Sequence, residues 1–204
     1  MWKKFSITMT MGWFLAACLL SAAAKPALAH PHVFIDTSIT VEFNDHGLSG
    51  FKVEWVFDTM FGSRLIADYD HDKNGRLDMA ESAEIEQKAF SNVSKFNYFT
   101  YVYIGSKRHD IVTISHFQAS ILGKTLQYAF FIPFERAWNE IDGNIWIGFF
   151  DKTNFCDFQF NAEKPFSVSS PQDIDIVAKI VSTRDGWVRH RAFEELRIQY
   201  KKTQ

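Results

Sequence analysis

The chain has 204 residues, with 22 basic against 24 acidic side chains, 47% apolar residues and 21 phenylalanines. That length supports one domain with a sizeable core, or one domain carrying a small insertion. The slightly acidic balance disfavours a nucleic-acid partner, and the aromatic residues fall in strand-like runs.

The first segment stands apart from the fold. Lys3 and Lys4 give a positive start, residues 9–24 are largely apolar and uncharged, and Ala27-Leu28-Ala29 supplies a small-x-small cleavage signal. This pattern predicts a secretory signal peptide over residues 1–29, a periplasmic address and a mature chain that begins at His30. A rival reading is open: Leu15-Ala16-Ala17-Cys18 resembles a lipoprotein signal, in which an acylated Cys18 would anchor the protein. Loss of residues 1–29 removes Lys3, Lys4 and Lys25, leaves 19 basic against 24 acidic residues, and leaves no transmembrane segment. Cys156 would then be the remaining cysteine, so no intramolecular disulfide can form. It lies in a strand-like setting, where a buried inert thiol is expected.

Cleavage after Ala29 exposes His30-Pro31-His32. An N-terminal histidine offers its α-amine and its imidazole at once, and His32 adds a third nitrogen. Such donors suit Ni2+, Co2+, Zn2+ or Cu2+ better than Ca2+ or Mg2+. Pro31 has no backbone N–H, which excludes the square-planar mode that needs a deprotonated amide at the second residue. The alternative is a frayed, solvated end.

Residues 32–43 alternate as a strand, Asn44-Asp45-His46-Gly47 reads as a turn, and residues 48–57 return as a second strand. Residues 58–67 read as a short helix leading into Asp70-His71-Asp72-Lys73-Asn74-Gly75-Arg76-Leu77-Asp78-Met79-Ala80-Glu81. This stretch has the spacing of an EF-hand calcium loop: side-chain oxygens from Asp70, Asp72 and Asn74, Gly75 at the sharp turn, the backbone carbonyl of Arg76, then Asp78 and a bidentate Glu81. A hard cation that takes roughly six to eight oxygens needs ligands spread around a sphere, and a compact loop achieves this by turning sharply. Leu77 is expected to pack inward, and an exiting helix over residues 79–95 puts Ile85, Ala89, Phe90 and Val93 on one face. The competing reading is an acidic surface turn that binds nothing. Without a second loop of this pattern, a structural site is expected rather than a switch.

Further strands are expected over residues 98–104, 111–121 and 125–133, a last hairpin from 144–150 and 154–160, another strand over 174–182, and a terminal helix over 187–200. His109 and His116, read on one continuous strand, would face opposite sides. These elements predict an α+β fold, mainly antiparallel and sandwich-like, in one domain over residues 30–204. The helix-loop-helix is inserted at about residues 58–95.

The segments His30-Pro31-His32-Val33-Phe34-Ile35, Glu54-Trp55-Val56-Phe57-Asp58, the aspartate-rich loop and Phe149-Phe150-Asp151 together resemble a family of uncharacterised bacterial secreted proteins. It is the domain-of-unknown-function family numbered one thousand and seven, often described as the periplasmic component of an uncharacterised ABC-type transport system. The resemblance covers nearly the whole mature chain. Genes of this family often neighbour a nickel/cobalt permease, so the resemblance implies a role in transition-metal transport with an inner-membrane metal permease as partner. It brings no established catalytic residues.

Three functions follow as expectations. The first is a periplasmic metal-binding accessory protein, with His30 and His32 as transition-metal ligands and calcium holding the 70–81 loop. The second is a calcium-stabilised module that binds another envelope protein. An enzyme built on a copper brace at His30 ranks last, because no nucleophile-base motif such as Gly-x-Ser-x-Gly accompanies it, and a non-enzymatic role is expected.

Overall fold

A computed structural model of the chain describes residues 31–141, 144–171, 174–183 and 193–202. Residues 31–204 form a compact unit of their own, apart from residues 1–30. The expected signal peptide, Cys18 and His30 lie outside the described residues.

The alternation at the start of the compact unit folds as a hairpin. Strands β1 (Val33–Asn44) and β2 (Gly47–Phe57) pair antiparallel from Ile35 opposite Phe57 to Asn44 opposite Gly47. Asn44 Oδ1 closes the turn by accepting the N–H groups of His46 and Gly47. Every second residue, including Ile35, Ile39, Val41, Phe51, Val53 and Trp55, is buried.

The insertion follows directly. Helix α1 (Thr59–Tyr69) leads into the 70–81 loop and α2 (Met79–Lys88) leaves it. Asp58 fixes the join: Oδ1 accepts the Phe61 N–H at the helix start, and Oδ2 accepts the Phe34 N–H of β1, both at 2.9 Å. Loss of an N-cap costs about 1–2 kcal/mol, and Asp58→Ala also frees a strand donor. We therefore expect Asp58→Ala to lower the urea-unfolding free energy by about 2 kcal/mol, with Asp58→Asn losing less than half of that. Gly62 lets α1 lie against the sheet, since an added Cβ would come within 2.8 Å of the Leu126 backbone nitrogen.

The exiting helix is shorter than the sequence predicts. Regular helix ends at Lys88, and residues Phe90–Phe99 form a 3-10 stretch broken where Asn97 and Tyr98 take positive φ. Asn97 stabilises the break by donating from Nδ2 to the Thr100 carbonyl and accepting the Ile111 N–H at Oδ1. The expected inward face survives: Ile85 and Phe90 are buried, with Ala89 and Val93 packed beside them.

The remaining strands are β3 (Thr100–Ile104), β4 (Lys107–His109), β5 (Ser115–Leu122), β6 (Thr125–Ala137), β7 (Asn144–Phe149), β8 (Cys156–Phe160), β9 (Phe166–Ser169), β10 (Ile174–Thr183) and β11 (Phe193–Lys202). The first sheet runs β5-β6-β2-β1-β8, with β9 also on β1, and the second runs β10-β11-β7-β3-β4. Both contribute to one core, where Phe149 of β7 meets Phe158 and Phe160 of β8. Trp55 stands at the junction, its ring against Phe90 of the insertion, Phe99 before β3, Phe130 of β6 and Phe158 of β8.

The fold is thus α+β, with three corrections. Its strands are mainly antiparallel as expected, but the first sheet is mixed, because β8 and β9 run parallel to β1. Residues 144–160 are no hairpin: β7 is flanked on both sides by β3 and β11, so β8 crosses to the first sheet. Asp151 shapes that crossing, its buried carboxylate accepting the N–H groups of Thr153, Phe155 and Cys156. The terminal helix does not form where it is described. Residues 193–202 are a strand between β10 and β7, in which Leu196, Ile198 and Tyr200 alternate inward, while residues 187–192 lie outside the described residues. Among the described residues, no helix is long and apolar enough to cross a membrane.

Candidate metal site

The 70–81 loop is built by the two helix ends it joins. Asp70 caps the end of α1, its N–H donating to the Ile66 carbonyl. Asp78 caps the start of α2, where its Oδ1 accepts the Glu81 N–H at 2.9 Å and Glu81 Oε2 accepts the Asp78 N–H at 3.0 Å. This reciprocal capping box satisfies two helix-terminal donors and fixes the Glu81 carboxylate. Between the caps the backbone turns at Gly75, whose φ of +77° is the left-handed conformation that glycine adopts without strain.

Side chains then fold over the turn. Asp70 accepts the N–H groups of Asn74 and Gly75, and Asp72 accepts from both the backbone and the side chain of Asn74. Asn74 Oδ1 accepts the Arg76 N–H, and Glu81 Oε1 accepts the His71 N–H. Carboxylate oxygens of Asp70, Asp72 and Glu81 consequently lie within 4.8 Å of one another. Asp70 is 8% and Glu81 7% exposed. Three like charges this close repel, and the oxygen donor set fits a hard divalent cation, which would relieve that repulsion.

Of the six expected calcium ligands, the structure brings Asp70, Asp72 and Glu81 together. Asn74 is bonded to Asp72, Asp78 is bonded to Glu81 at the helix start, and Arg76 is held at its backbone by Asn74. Leu77 packs against the core as expected. Sequence reasoning missed Ser82, whose buried hydroxyl accepts the Ala119 N–H of β5 and ties α2 to the first sheet. A bond across 37 residues leaves no local signal. His71 points outward, as expected, and bonds through Nε2 to Glu84, which holds its pKa above the ordinary value.

The histidine pair is not assembled in the described residues, because His30 lies outside them. His32 is exposed but anchored: its N–H donates to the Phe155 carbonyl at 2.8 Å, and its ring lies 5.3 Å from that of Phe155. Among the described residues, no second group of three His, Cys, Asp or Glu side chains converges as Asp70, Asp72 and Glu81 do. Cys156 is half-buried, with burial pushing its thiol pKa up to about 12. Burial thus disfavours its thiolate, the reactive form, at neutral pH.

His109 and His116 are not on one strand: β4 and β5 belong to different sheets. Arg136 Nη2 lies 3.2 Å from His109 Nδ1, a contact that requires a neutral ring accepting from the guanidinium. Burial first, then Arg136 and Lys107, lower the His109 pKa. Because the folded pKa is the lower one, its contribution to stability is present above about pH 6.5 and is lost as pH falls towards the folded value. An NMR titration should give a His109 midpoint below 6.5, moved upward by Arg136→Ala; a midpoint that ignores Arg136→Ala would contradict the assignment.

The segment Glu54-Trp55-Val56-Phe57-Asp58 has a structural role in this arrangement. Trp55 and Phe57 enter the core and Asp58 caps the helix that feeds the acidic loop.

Comparison with known proteins places these features in a wider group. The family described as "Protein of unknown function (DUF1007)" matches residues 15–180. An "Uncharacterized 15.5 kDa protein in trpE 3'region" of Spirochaeta aurantia is 27% identical over 106 residues, covering 51% of this chain and 74% of that protein. An "Uncharacterized protein" of Haemophilus influenzae is 30% identical over 110 residues, which is 52% of this chain and 50% of that protein. The chain thus spans about half the length of the second relative.

Proposed function

The chain belongs to the DUF1007 family, and on that premise we propose that it is a periplasmic metal-binding accessory protein of a nickel/cobalt-type transport system, held in shape by calcium. One observation carries the calcium part: the mutual approach of Asp70, Asp72 and Glu81 within 4.8 Å, two of them buried. Asp70, Asp72, Asn74, the Arg76 carbonyl, Asp78 and Glu81 would hold the ion. Its role is structural, because it would clamp α1 to α2 while Ser82 and Asp58 tie those helices to the first sheet.

His30 and His32 would bind the transition metal, and an inner-membrane permease would receive or supply it. The anchoring of His32 to Phe155 supports this reading, since a donor tied to the fold loses less entropy on binding than one at a frayed end. The protein acts by binding and handing over ions, not by catalysis. A second reading, a calcium-stabilised module for binding another envelope protein, is favoured by the donors that converge among the described residues, which are carboxylates without an imidazole.

A native mass spectrum of protein exported by its own signal tests both readings, recorded with and without Ca2+, Ni2+, Co2+, Zn2+ and Cu2+. A chain starting at His30 that carries one calcium and one transition metal, the latter lost in His30→Ala, is the expected result. Uptake of calcium only would favour the interaction module. An acylated Cys18 at the start would remove the histidine site.

A further inference from the structure

The outward face of the second sheet carries a row of side chains that neither the acidic loop nor the N-terminal histidines use. Strand register puts one residue from each of its five strands in line. Arg108 of β4 stands opposite Tyr103 of β3, Tyr103 opposite Trp146 of β7, Trp146 opposite Arg197 of β11, and Arg197 opposite Lys179 of β10. Tyr103 lies between buried Val102 and Ile104, Trp146 between Ile145 and Ile147, and Arg197 between Leu196 and Ile198, so the row points away from the core. With strands about 4.8 Å apart, it spans roughly 19 Å.

The neighbouring row deepens the surface. Tyr101 stands opposite Gly148, and Gly148 opposite Glu195. The cleft over Tyr101, Tyr103, Arg108, Trp146 and Lys152 measures about 680 Å³, a volume in the range of small-molecule sites.

Cations are set against these rings. The Arg108 guanidinium lies 5.0 Å and Lys152 Nζ 5.6 Å from the centre of the Tyr101 ring, and the Arg197 guanidinium lies 4.4 Å from that of Trp146. Asp110 pairs with Arg108 at 2.9 Å and Glu195 with Arg197 at 2.6 Å, offsetting both arginines. Lys152 and Lys179 remain outside any ion pair among the described residues. A chain with a net charge of −2 thus presents a locally positive, aromatic cleft.

A ligand complementary to this cleft has flat apolar faces and sparse negative charge. Pyranose rings present C–H faces that pack on Tyr and Trp, and a carboxylate or sulfate on the sugar meets the lysines. A nucleic-acid strand brings one charge per nucleotide, more than two surplus lysines on an acidic chain can match. A membrane surface needs a flat or protruding patch, whereas these rings line a concavity. We propose that the cleft between Tyr101, Tyr103 and Trp146 binds an acidic oligosaccharide, with the sugar faces on the rings and a charged group at Lys152.

The test is calorimetric titration of the purified protein with oligosaccharides of hyaluronan, unsulfated chondroitin and half-methyl-esterified galacturonate, each carrying about one charge per two sugars and so sparser than a nucleic-acid strand, at low salt. Binding to one or more of them is expected, weakened roughly tenfold by Trp146→Ala and at least several-fold by the charge reversal Lys152→Glu. Lys152 is exposed, so its reversal leaves the fold intact, and unchanged thermal melting would verify this. Rising ionic strength should weaken the binding. Absence of binding to all three sugars overturns the proposal, as does binding that neither substitution alters. Tighter binding to an oligothymidylate or to phosphatidylglycerol vesicles than to any of the sugars overturns it equally.

Discussion

Calcium at a hundredfold excess over its dissociation constant is expected to raise the melting temperature of this protein by roughly 5–10 °C. The estimate combines about 2.7 kcal/mol from mass action on the folded state with roughly 2–4 °C per kcal/mol for a domain of this size. The shift should vanish in Asp70→Ala and Glu81→Ala, since each removes one of the three carboxylates that converge in the loop. Glu81→Ala also frees the N–H groups of His71 and Asp78, so its melting temperature falls even without the ion. The informative quantity is therefore the calcium-induced shift in each variant, not the absolute midpoint. Asp68→Ala supplies the control: this exposed acid is paired with Arg64 one turn before the loop, and its loss should leave the shift unchanged. Scanning calorimetry with and without chelator reads all four proteins. An unchanged midpoint for the wild type, or an equal shift in Glu81→Ala, would sink the calcium assignment.

The second large effect is expected at Trp55. Its ring joins β2 to the insertion through Phe90, to the first sheet through Phe130 and Phe158, and to the approach of β3 through Phe99. The side chain is 2% exposed, so truncation leaves a cavity that neighbours from several elements cannot all close. Trp55→Ala is expected to cost about 3–5 kcal/mol in urea unfolding, a large part of the stability of an ordinary domain. Trp55→Phe should cost much less, because it keeps most of the packing and removes an indole N–H that has no acceptor in the structure. A loss below about 1 kcal/mol for Trp55→Ala would show that this junction does not hold the layers together.

Local features were legible in the sequence. The alternation of Val33 to Phe43 and the Asn44 to Gly47 turn are fixed by neighbours a few residues away and formed as read, and of the six donors expected in the 70–81 loop the carboxylates of Asp70, Asp72 and Glu81 converge. The errors lie where distant partners decide. Residues 144–160 have the pattern of a hairpin, but β3 and β11 occupy both edges of β7 before β8 can. The helix expected over 187–200 fails for the same reason: Leu196, Ile198 and Tyr200 repeat at every second position, and strands on both sides of β11 satisfy its backbone. Asn97 and Tyr98 end the helical path by positive φ values that no residue nearby announced. The 3-10 stretch thereby delivers Phe99 to the core at a place a regular helix would miss.

The parallel pairing of β8 and β9 on β1 dictates the order in which the chain can fold. Val33 finds its partner at Cys156 and Ile39 at Phe166, separations of more than a hundred residues, so β1 keeps one bare edge until the last third of the polypeptide is present. Contacts that distant close slowly. A nascent or truncated chain ending before residue 156 leaves the backbone groups along one edge of this twelve-residue strand unpaired, the kind of edge that recruits other chains. Completion of the sheet is therefore a late, nearly all-or-none event, and chaperones and proteases compete for the chain throughout the interval before it.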